Sequence, residues 1–244
     1  MNGNEKLTKA QKKALQKTQW TQEAEKAKRN EQLKTFGLWG GVAALVGIAI
    51  LGLALFVNKS PSSTVNTDQT VPLATKYDFE KGPKDSKVTL IEYGDYQCPA
   101  CASYHPIVNK ILADYKNLHF VYRFFPLSNI HKNAEISAKA AYAANVQGKF
   151  FEMHNALYEN QNDWSESTTP QTIFVNYAQM LGLDTAKFTN DLNSTQAKAF
   201  VADSEKESIS AGLNSTPSFY LNGARINPNS YEDFKKLIDD AFKK

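Results

Sequence analysis

Phe36-Gly-Leu-Trp-Gly-Gly-Val-Ala-Ala-Leu-Val-Gly-Ile-Ala-Ile-Leu-Gly-Leu-Ala-Leu-Phe-Val57 runs for 22 residues without a charge, and it divides the 244-residue chain into parts that cannot share one core. At about 1.5 Å of rise per residue, a helix of this length matches a hydrocarbon layer of about 30 Å. The run is therefore expected to be a single transmembrane helix. A cleaved signal peptide is the alternative, but its apolar core is roughly 7–15 residues long and ends at a small-residue cleavage site. Here a stub of 35 residues precedes a longer run and no convincing Ala-x-Ala follows, so a retained signal anchor is expected.

The flanks set the orientation. Residues 1–35 hold nine Lys/Arg against four Asp/Glu, whereas only Lys59 lies close behind the run. The positive-inside rule then puts the N-terminus in the cytoplasm and residues 58–244 outside it, with the lipid bilayer engaged through 36–57. Residues 1–35 read as a basic cytoplasmic stub. Residues 58–75, rich in Ser, Thr, Asn and Pro, read as a polar linker with too little apolar surface for a core.

Residues 76–244 form the body, with 18 basic against 20 acidic residues. The net charge of +3 therefore comes from the stub, and a nearly neutral body argues against nucleic acid as its partner. Lys87-Val-Thr-Leu-Ile-Glu-Tyr93 is a strand by its apolar, β-branched character, and His119-Phe-Val-Tyr-Arg-Phe-Phe125 is a second that Pro126 ends. A helix between them, from the cysteine pair to about Tyr115, gives a β-α-β unit with parallel strands. From about 133 to 213 the signals are helical. Ala134, Ser137, Ala138, Ala141 and Ala144 give one small-residue packing face, and Phe150, Phe151, His154, Leu157 and Tyr158 give an apolar stripe. Asn222-Gly223 then turns a hairpin within Ser218–Ile226, and an amphipathic helix closes the chain from about Ser230 to Lys243. The order is β-α-β, a helical block of about 80 residues, then β-β-α.

The body contains both cysteines of the chain, Cys98 and Cys101. As a structural staple they would close so small a loop that the restraint is roughly 2 kcal/mol, against about 4.7 for a 100-residue loop. As half of a metal site they could join His105, at i, i+3 and i+7, but a closed site needs a fourth ligand and no second Cys-x-x-Cys or His pair follows. No metal is expected. A redox pair accounts for the details best. Pro99 suits a first helical position, so Cys98 stands at a helix N-terminus, where unpaired N–H groups stabilise a thiolate. Cys98 would exchange disulfides, and Cys101, one turn deeper, would resolve the mixed disulfide.

Four stretches carry a resemblance to a known family: Glu92-Tyr-Gly-Asp-Tyr-Gln-Cys-Pro-Ala-Cys101, Arg123-Phe-Phe-Pro-Leu-Ser-Asn-Ile-His131, Gly148-Lys-Phe-Phe-Glu-Met-His154 and Ala211-Gly-Leu-Asn-Ser-Thr-Pro-Ser-Phe-Tyr-Leu-Asn-Gly223. Over residues 76–244 the chain resembles the DsbA family of thiol:disulfide interchange proteins. The resemblance implies an α/β thioredoxin-like fold with the helical block inserted before the last hairpin. It also implies that Pro217 is a cis-proline beside the cysteines and that Thr216 and Pro217 clamp a bound peptide. Glu92 would be the buried acid that assists proton transfer at the deeper thiol, with Arg123 on the next strand as a candidate partner.

One position departs from the family. Its oxidants often carry His as the second residue between the cysteines, where this chain has Ala100. With Pro99, Ala100 would tune the thiolate. His105 would compensate in part for the missing His, or else be a half-exposed helix residue, which is the simpler expectation. Pro106 is expected to kink the helix. Together these readings imply an extracytoplasmic thiol-disulfide oxidoreductase with a monomeric catalytic domain and no cofactor beyond the Cys98–Cys101 disulfide. It would oxidise reduced secreted or surface proteins and be recharged by a quinone-linked membrane oxidase. The alternatives are a reductase or isomerase of the same fold, and a tethered peptide-binding chaperone with idle cysteines.

Overall fold

The computed structural model describes residues 65–244 together with Lys26. The apolar run at 36–57, the remainder of the basic stub and residues 58–64 lie outside the described residues. Among the described residues no helix is long and apolar enough to cross a membrane.

Six strands form one sheet: β1 (Val65–Thr70), β2 (Phe79–Lys81), β3 (Thr89–Gly94), β4 (His119–Phe124), β5 (Ser218–Leu221) and β6 (Ala224–Ile226), in the spatial order β1-β6-β5-β3-β4-β2. Only β3 and β4 are parallel, joined by helix α1 (Pro99–Asp114). Both are buried along their whole length, as strands inside a sheet covered on both faces are. At the hairpin, Asn222 has φ 50° and Gly223 φ 83°, the two left-handed residues that a two-residue turn between twisted strands requires.

Between β4 and β5 lie α2 (Ala134–Asn145), α3 (Phe150–Glu159), α4 (Gln161–Trp164), α5 (Pro170–Met180), α6 (Thr185–Leu192) and α7 (Thr195–Ser210), and α8 (Tyr231–Phe242) ends the fold. The buried small residues of α2 let its neighbours approach closely. Trp164 is wholly buried, and its indole N–H donates to the Leu157 carbonyl at 2.9 Å.

The two faces of the sheet pack separately. Leu90, Phe120, Tyr122 and Phe124 join a large core with Val108 and Ile111 of α1, Phe150 and Leu157 of α3, and Phe234 and Ile238 of α8. Ile91, Tyr93, Val121, Phe125 and Tyr220 face a smaller cluster closed by Val71 and Leu213.

The polar linker expected at 58–75 is corrected at its C-terminal end. Residues 65–70 form β1, antiparallel to β6 with a register irregularity between Asn66 and Thr70. An edge strand is joined mainly through backbone bonds, here with Arg225 Nη1 also donating to Gln69 Oε1 at 2.8 Å, so Val-Asn-Thr-Asp-Gln-Thr needs no apolar alternation to join a sheet. Strand β2, antiparallel to β4, escaped the sequence reading for a related reason: three residues show no periodicity.

Candidate active site

The loop after β3 feeds directly into α1, and this junction places the cysteines. Cys98 is the N-cap residue, with extended backbone (φ −69°, ψ 121°), and Pro99 begins the helix. Cys98 is 7% exposed and Cys101, one turn further in, is 0% exposed. Both are thiols in this structure. Their environments separate them chemically. The Cys98 thiol is pulled down to about 5, first by hydrogen bonding from the Cys101 side chain, then by Thr216 and by the backbone N–H groups of Cys101 and Ala100, against the opposing effect of its own burial. The Cys101 thiol is pushed well above the ordinary range, first by burial and then by Cys98.

Across from the pair, the Thr216–Pro217 peptide bond is cis. Cys98 Sγ donates to the Thr216 carbonyl at 3.4 Å. The Thr216 hydroxyl is buried and makes no hydrogen bond to the thiol, but a thiolate at Cys98 would accept it as a donor. Beside Pro217 a cleft of about 210 Å³ is lined by Tyr104, Phe219, Ile226 and Pro228 together with Ser218, Asn227 and Asn229, so its surface is mixed apolar and polar.

Glu92 points toward the cysteine side. In the parallel register Glu92 pairs with Tyr122 and Tyr93 with Arg123, so Glu92 and Arg123 project from opposite faces of the sheet. The expected Glu92–Arg123 pair is therefore corrected. Arg123 pairs with Asp78 on the other face, Nε to Oδ1 at 2.6 Å. Glu92 is 2% exposed and has no ion pair among the described residues, and burial raises its carboxyl to about 8. It is neutral at neutral pH and can give a proton to a thiolate beside it.

His105 is not half-exposed. It is buried on the inner stripe of α1 with Cys101, Val108 and Ile111, and its ring lies 5.0 Å, centre to centre, from that of Tyr158. Burial and then the charge of Lys81 lower it to about 4, so at neutral pH it brings no positive charge to the cysteines. The help that the missing His between the cysteines would give thus does not come from His105. It comes first from the Cys101 side chain, then from Thr216 and the backbone; Ala100 contributes its N–H, which does not depend on its side chain. Helix α1 continues past Pro106 to Asp114.

Sequence reasoning missed the residues that hold the loop. Asp95 is fully buried and accepts from the Gln97 N–H at 2.8 Å, the Leu127 N–H at 2.9 Å and His131 Nδ1 at 2.6 Å, while its carbonyl accepts the Cys98 N–H at 3.1 Å. From the helical insertion, Gln161 Nε2 donates to the carbonyls of Tyr96 (2.7 Å) and Cys98 (3.0 Å). The one available signal was Asp95 two residues before Gln97, the spacing of a side-chain-to-backbone turn. Nothing in the sequence pointed to Gln161, 63 residues away. Among the described residues no cluster of His, Cys, Asp and Glu is arranged to hold a metal ion.

Comparisons with known proteins agree with this geometry. The family model described as Thioredoxin matches residues 74–240. A Na(+)/H(+) antiporter NhaA 1 from Salinispora arenicola is 34% identical over 176 residues, which is 72% of this chain and 26% of that protein. A second NhaA 1, from Mycolicibacterium gilvum, is 32% identical over 194 residues, 76% of this chain and 30% of that protein. The chain spans about a quarter to a third of these relatives, and antiport is said of them as whole proteins. A thioredoxin-like oxidoreductase from Silicibacter pomeroyi superimposes with a TM-score of 0.60 at 27% identity, covering 73% of this chain and 99% of that one. BdbD from Bacillus subtilis gives 0.63 at 21% identity (75% and 100% covered), and alpha-DsbA1 from Wolbachia pipientis gives 0.62 at 18% (70% and 93%). These last two speak to the fold alone. The chain belongs to the thioredoxin family, and its body carries the thioredoxin-like fold of thiol-disulfide oxidoreductases.

Proposed function

We propose that the protein is a membrane-anchored, extracytoplasmic oxidase that donates the Cys98–Cys101 disulfide to reduced secreted or surface proteins. The observation that carries this reading is the contrast between the two thiols, one lowered to about 5 and the other raised. A stabilised Cys98 thiolate favours the dithiol form, which makes the disulfide a ready electron acceptor. A substrate thiolate attacks Cys98 Sγ, and the Cys98–Cys101 bond breaks. Cys101 leaves with the electron pair and takes a proton from Glu92. A second substrate thiolate then attacks the substrate sulfur of the mixed disulfide, and Cys98 leaves as the stable thiolate. Thr216 and Pro217 would hold the substrate backbone across Cys98, while Pro99 starts the helix and the Ala100 and Cys101 N–H groups are presented to the Cys98 sulfur.

The charge-free run at 36–57 and the basic stub before it support placement at the cell membrane with the body outside the cytoplasm. Reduced by each turnover, the pair needs an electron acceptor, and a quinone-linked membrane oxidase is the chemical class that fits. The disulfide itself serves as the only redox group, and the catalytic domain works as a monomer.

The test is the glutathione redox equilibrium of the full chain, with Cys98→Ser as control. A potential nearer about −120 than about −270 mV is expected, and a value near the lower figure would reverse the direction to reduction. Cys98→Ser is expected to lose the oxidation of a reduced, two-cysteine substrate. Substrate oxidation at the wild-type rate by that variant would sink the catalytic reading.

A further inference from the structure

The start of a helix is ordinarily tied down by the side chain of its N-cap residue, which accepts a hydrogen bond from the first turn. Helix α1 has no such tie. Its N-cap is Cys98, whose side chain makes no cap hydrogen bond, and its first turn carries no acidic residue. The atom that would have to cap this helix is the sulfur that reacts. The start of α1 must therefore be held from elsewhere while Cys98 Sγ stays free.

Gln161 does so from the helical insertion. It opens α4, is buried, and donates through Nε2 to two carbonyls of the active-site loop, Tyr96 at 2.7 Å and Cys98 at 3.0 Å. The Cys98 carbonyl also accepts the Ala102 N–H at 3.2 Å, the first bond of the helix. One amide thus grips both the loop before the cysteine and the residue from which the helix starts. A second side chain crosses the same gap in the other direction. Gln97 Nε2 donates to the Ser165 carbonyl at 2.6 Å, and its Oε1 accepts the Asn133 N–H at 2.5 Å. Asn133 Nδ2 donates in its turn to the carbonyls of Trp164, Ser165 and Ser167 at 3.1, 3.0 and 2.9 Å. The anchor on the insertion side is itself buried and hydrogen-bonded.

The consequence falls on the sulfur. Pro99 has no N–H, and the first intrahelical bond is that of Ala102, so the N–H groups of Ala100 and Cys101 find no carbonyl within the helix. They are left for the Cys98 sulfur, whose thiolate they stabilise together with the Cys101 side chain and Thr216. Hydrogen bonds weaken steeply with angle, so these donors act only while Cys98 keeps its place at the helix start. A purely structural Gln161 would satisfy the Tyr96 carbonyl and change stability alone.

We propose that Gln161 is a positioning residue for disulfide exchange: by holding the Tyr96 and Cys98 carbonyls it keeps the Cys98 sulfur aligned with the first N–H groups of α1, so that the helical insertion sets the reactivity of the cysteine pair. The proposal rests on the exchange reading above, and Gln161 acts through the loop without touching substrate.

The experiment uses the reduced full chain as wild type, Gln161→Met, Gln161→Ala and Asp78→Ala. Two quantities are read: the pH dependence of Cys98 alkylation by iodoacetamide and the equilibrium constant with glutathione. Gln161→Met keeps the length of the side chain and removes the donor. It is expected to raise the alkylation midpoint by about one pH unit and to shift the equilibrium about tenfold toward the disulfide, or about 30 mV. Asp78→Ala loosens the opposite face of the sheet and is expected to leave both quantities within about twofold of wild type. Both quantities unchanged in Gln161→Met overturn the proposal, as does an equal shift in Asp78→Ala, which would trace the effect to lost stability. Gln161→Ala, which cannot clash, carries the test if Gln161→Met does not fold. A wild type that exchanges no disulfide with glutathione would bring down the exchange reading itself, while the alkylation midpoint would still read Gln161. An exchanging wild type with indifferent Gln161 variants would bring down the positioning role alone.

Discussion

Glu92 and Arg123 sit on adjacent central strands, one register step apart, and both are nearly sealed from water, yet the fold treats them oppositely. On one face the Arg123 guanidinium is enclosed by acceptors. Nε and Nη2 meet Asp78 at 2.6 and 3.2 Å, Nη1 meets the Tyr93 hydroxyl at 2.7 Å and Nη2 the Pro72 carbonyl at 3.0 Å. On the other face Glu92 has no counter-charge among the described residues and is held neutral by desolvation. A buried charge with a full set of partners stays ionised and ties segments together, here the entry to the body at Pro72 and Asp78 to the middle of the sheet. A buried acid without partners keeps its proton and is available for chemistry. One sheet thus separates a structural face from a reactive one.

The sharpest way to break this contrast is to leave Arg123 unpaired. Asp78→Ala should cost about 3–5 kcal/mol of unfolding free energy, because an uncompensated buried cation remains. Urea titration of the full chain reads it. The exchange rate of molecules still folded should hardly change, since Asp78 faces away from the cysteines. A loss below about 1 kcal/mol would mean that water already solvates the guanidinium, and the contrast would fail on its structural side.

Glu92→Gln tests the reactive side and should have the opposite sign. Glu92 has a folded value raised to about 8 from 4.5, so its proton is favoured by folding. The stability this brings is fully present below the unfolded value and is lost as pH rises through the folded one. The neutral amide escapes that loss. Glu92→Gln should therefore match wild type near pH 4 and be more stable on the order of 3 kcal/mol at pH 7, while disulfide exchange slows. Equal stabilisation at both pH values would show that the carboxyl does not titrate in this window.

The contrast also shows what sequence could and could not reveal. The two inner strands, the helix begun by Pro99 and the Asn222-Gly223 turn are legible because each is specified locally, by apolar runs, a fixed φ or positive φ. Which of Glu92 and Arg123 faces the cysteines is not legible. A shift of one residue between two parallel strands exchanges the faces, and strand composition does not fix that offset. Strands β1 and β2 went unread because short edge strands are made by backbone bonds. His105 was within reach: the spacing Cys101, His105, Val108, Ile111 is a helical stripe, and an imidazole in it should have been placed inside. Gln161 meets the active-site loop from the helical insertion, and Asp95, inside the loop, ties it to Leu127 and His131; only tertiary structure brings these contacts into view.

Gly94 gives the smallest of these effects and the one most specific to the reactive face. A Cβ at this position would meet the Tyr122 ring and hydroxyl at 2.5–2.8 Å, too close for any real contact, and Tyr122 is packed among Tyr96, His154 and Phe124. Gly94→Ala should therefore push the Tyr122 ring away from β3, at a cost of about 1–3 kcal/mol. In doing so it would open the 2.7 Å contact between the Tyr122 and Tyr158 hydroxyls. If the clash is with this ring, the same substitution should cost much less in a Tyr122→Leu background, and a double-mutant cycle on thermal unfolding reads the coupling. Additive costs would place the strain in the β3 backbone instead. The close fit of tyrosine to strand would then lose its meaning as the feature that fixes the Tyr122 hydroxyl against the β3 backbone at Gly94.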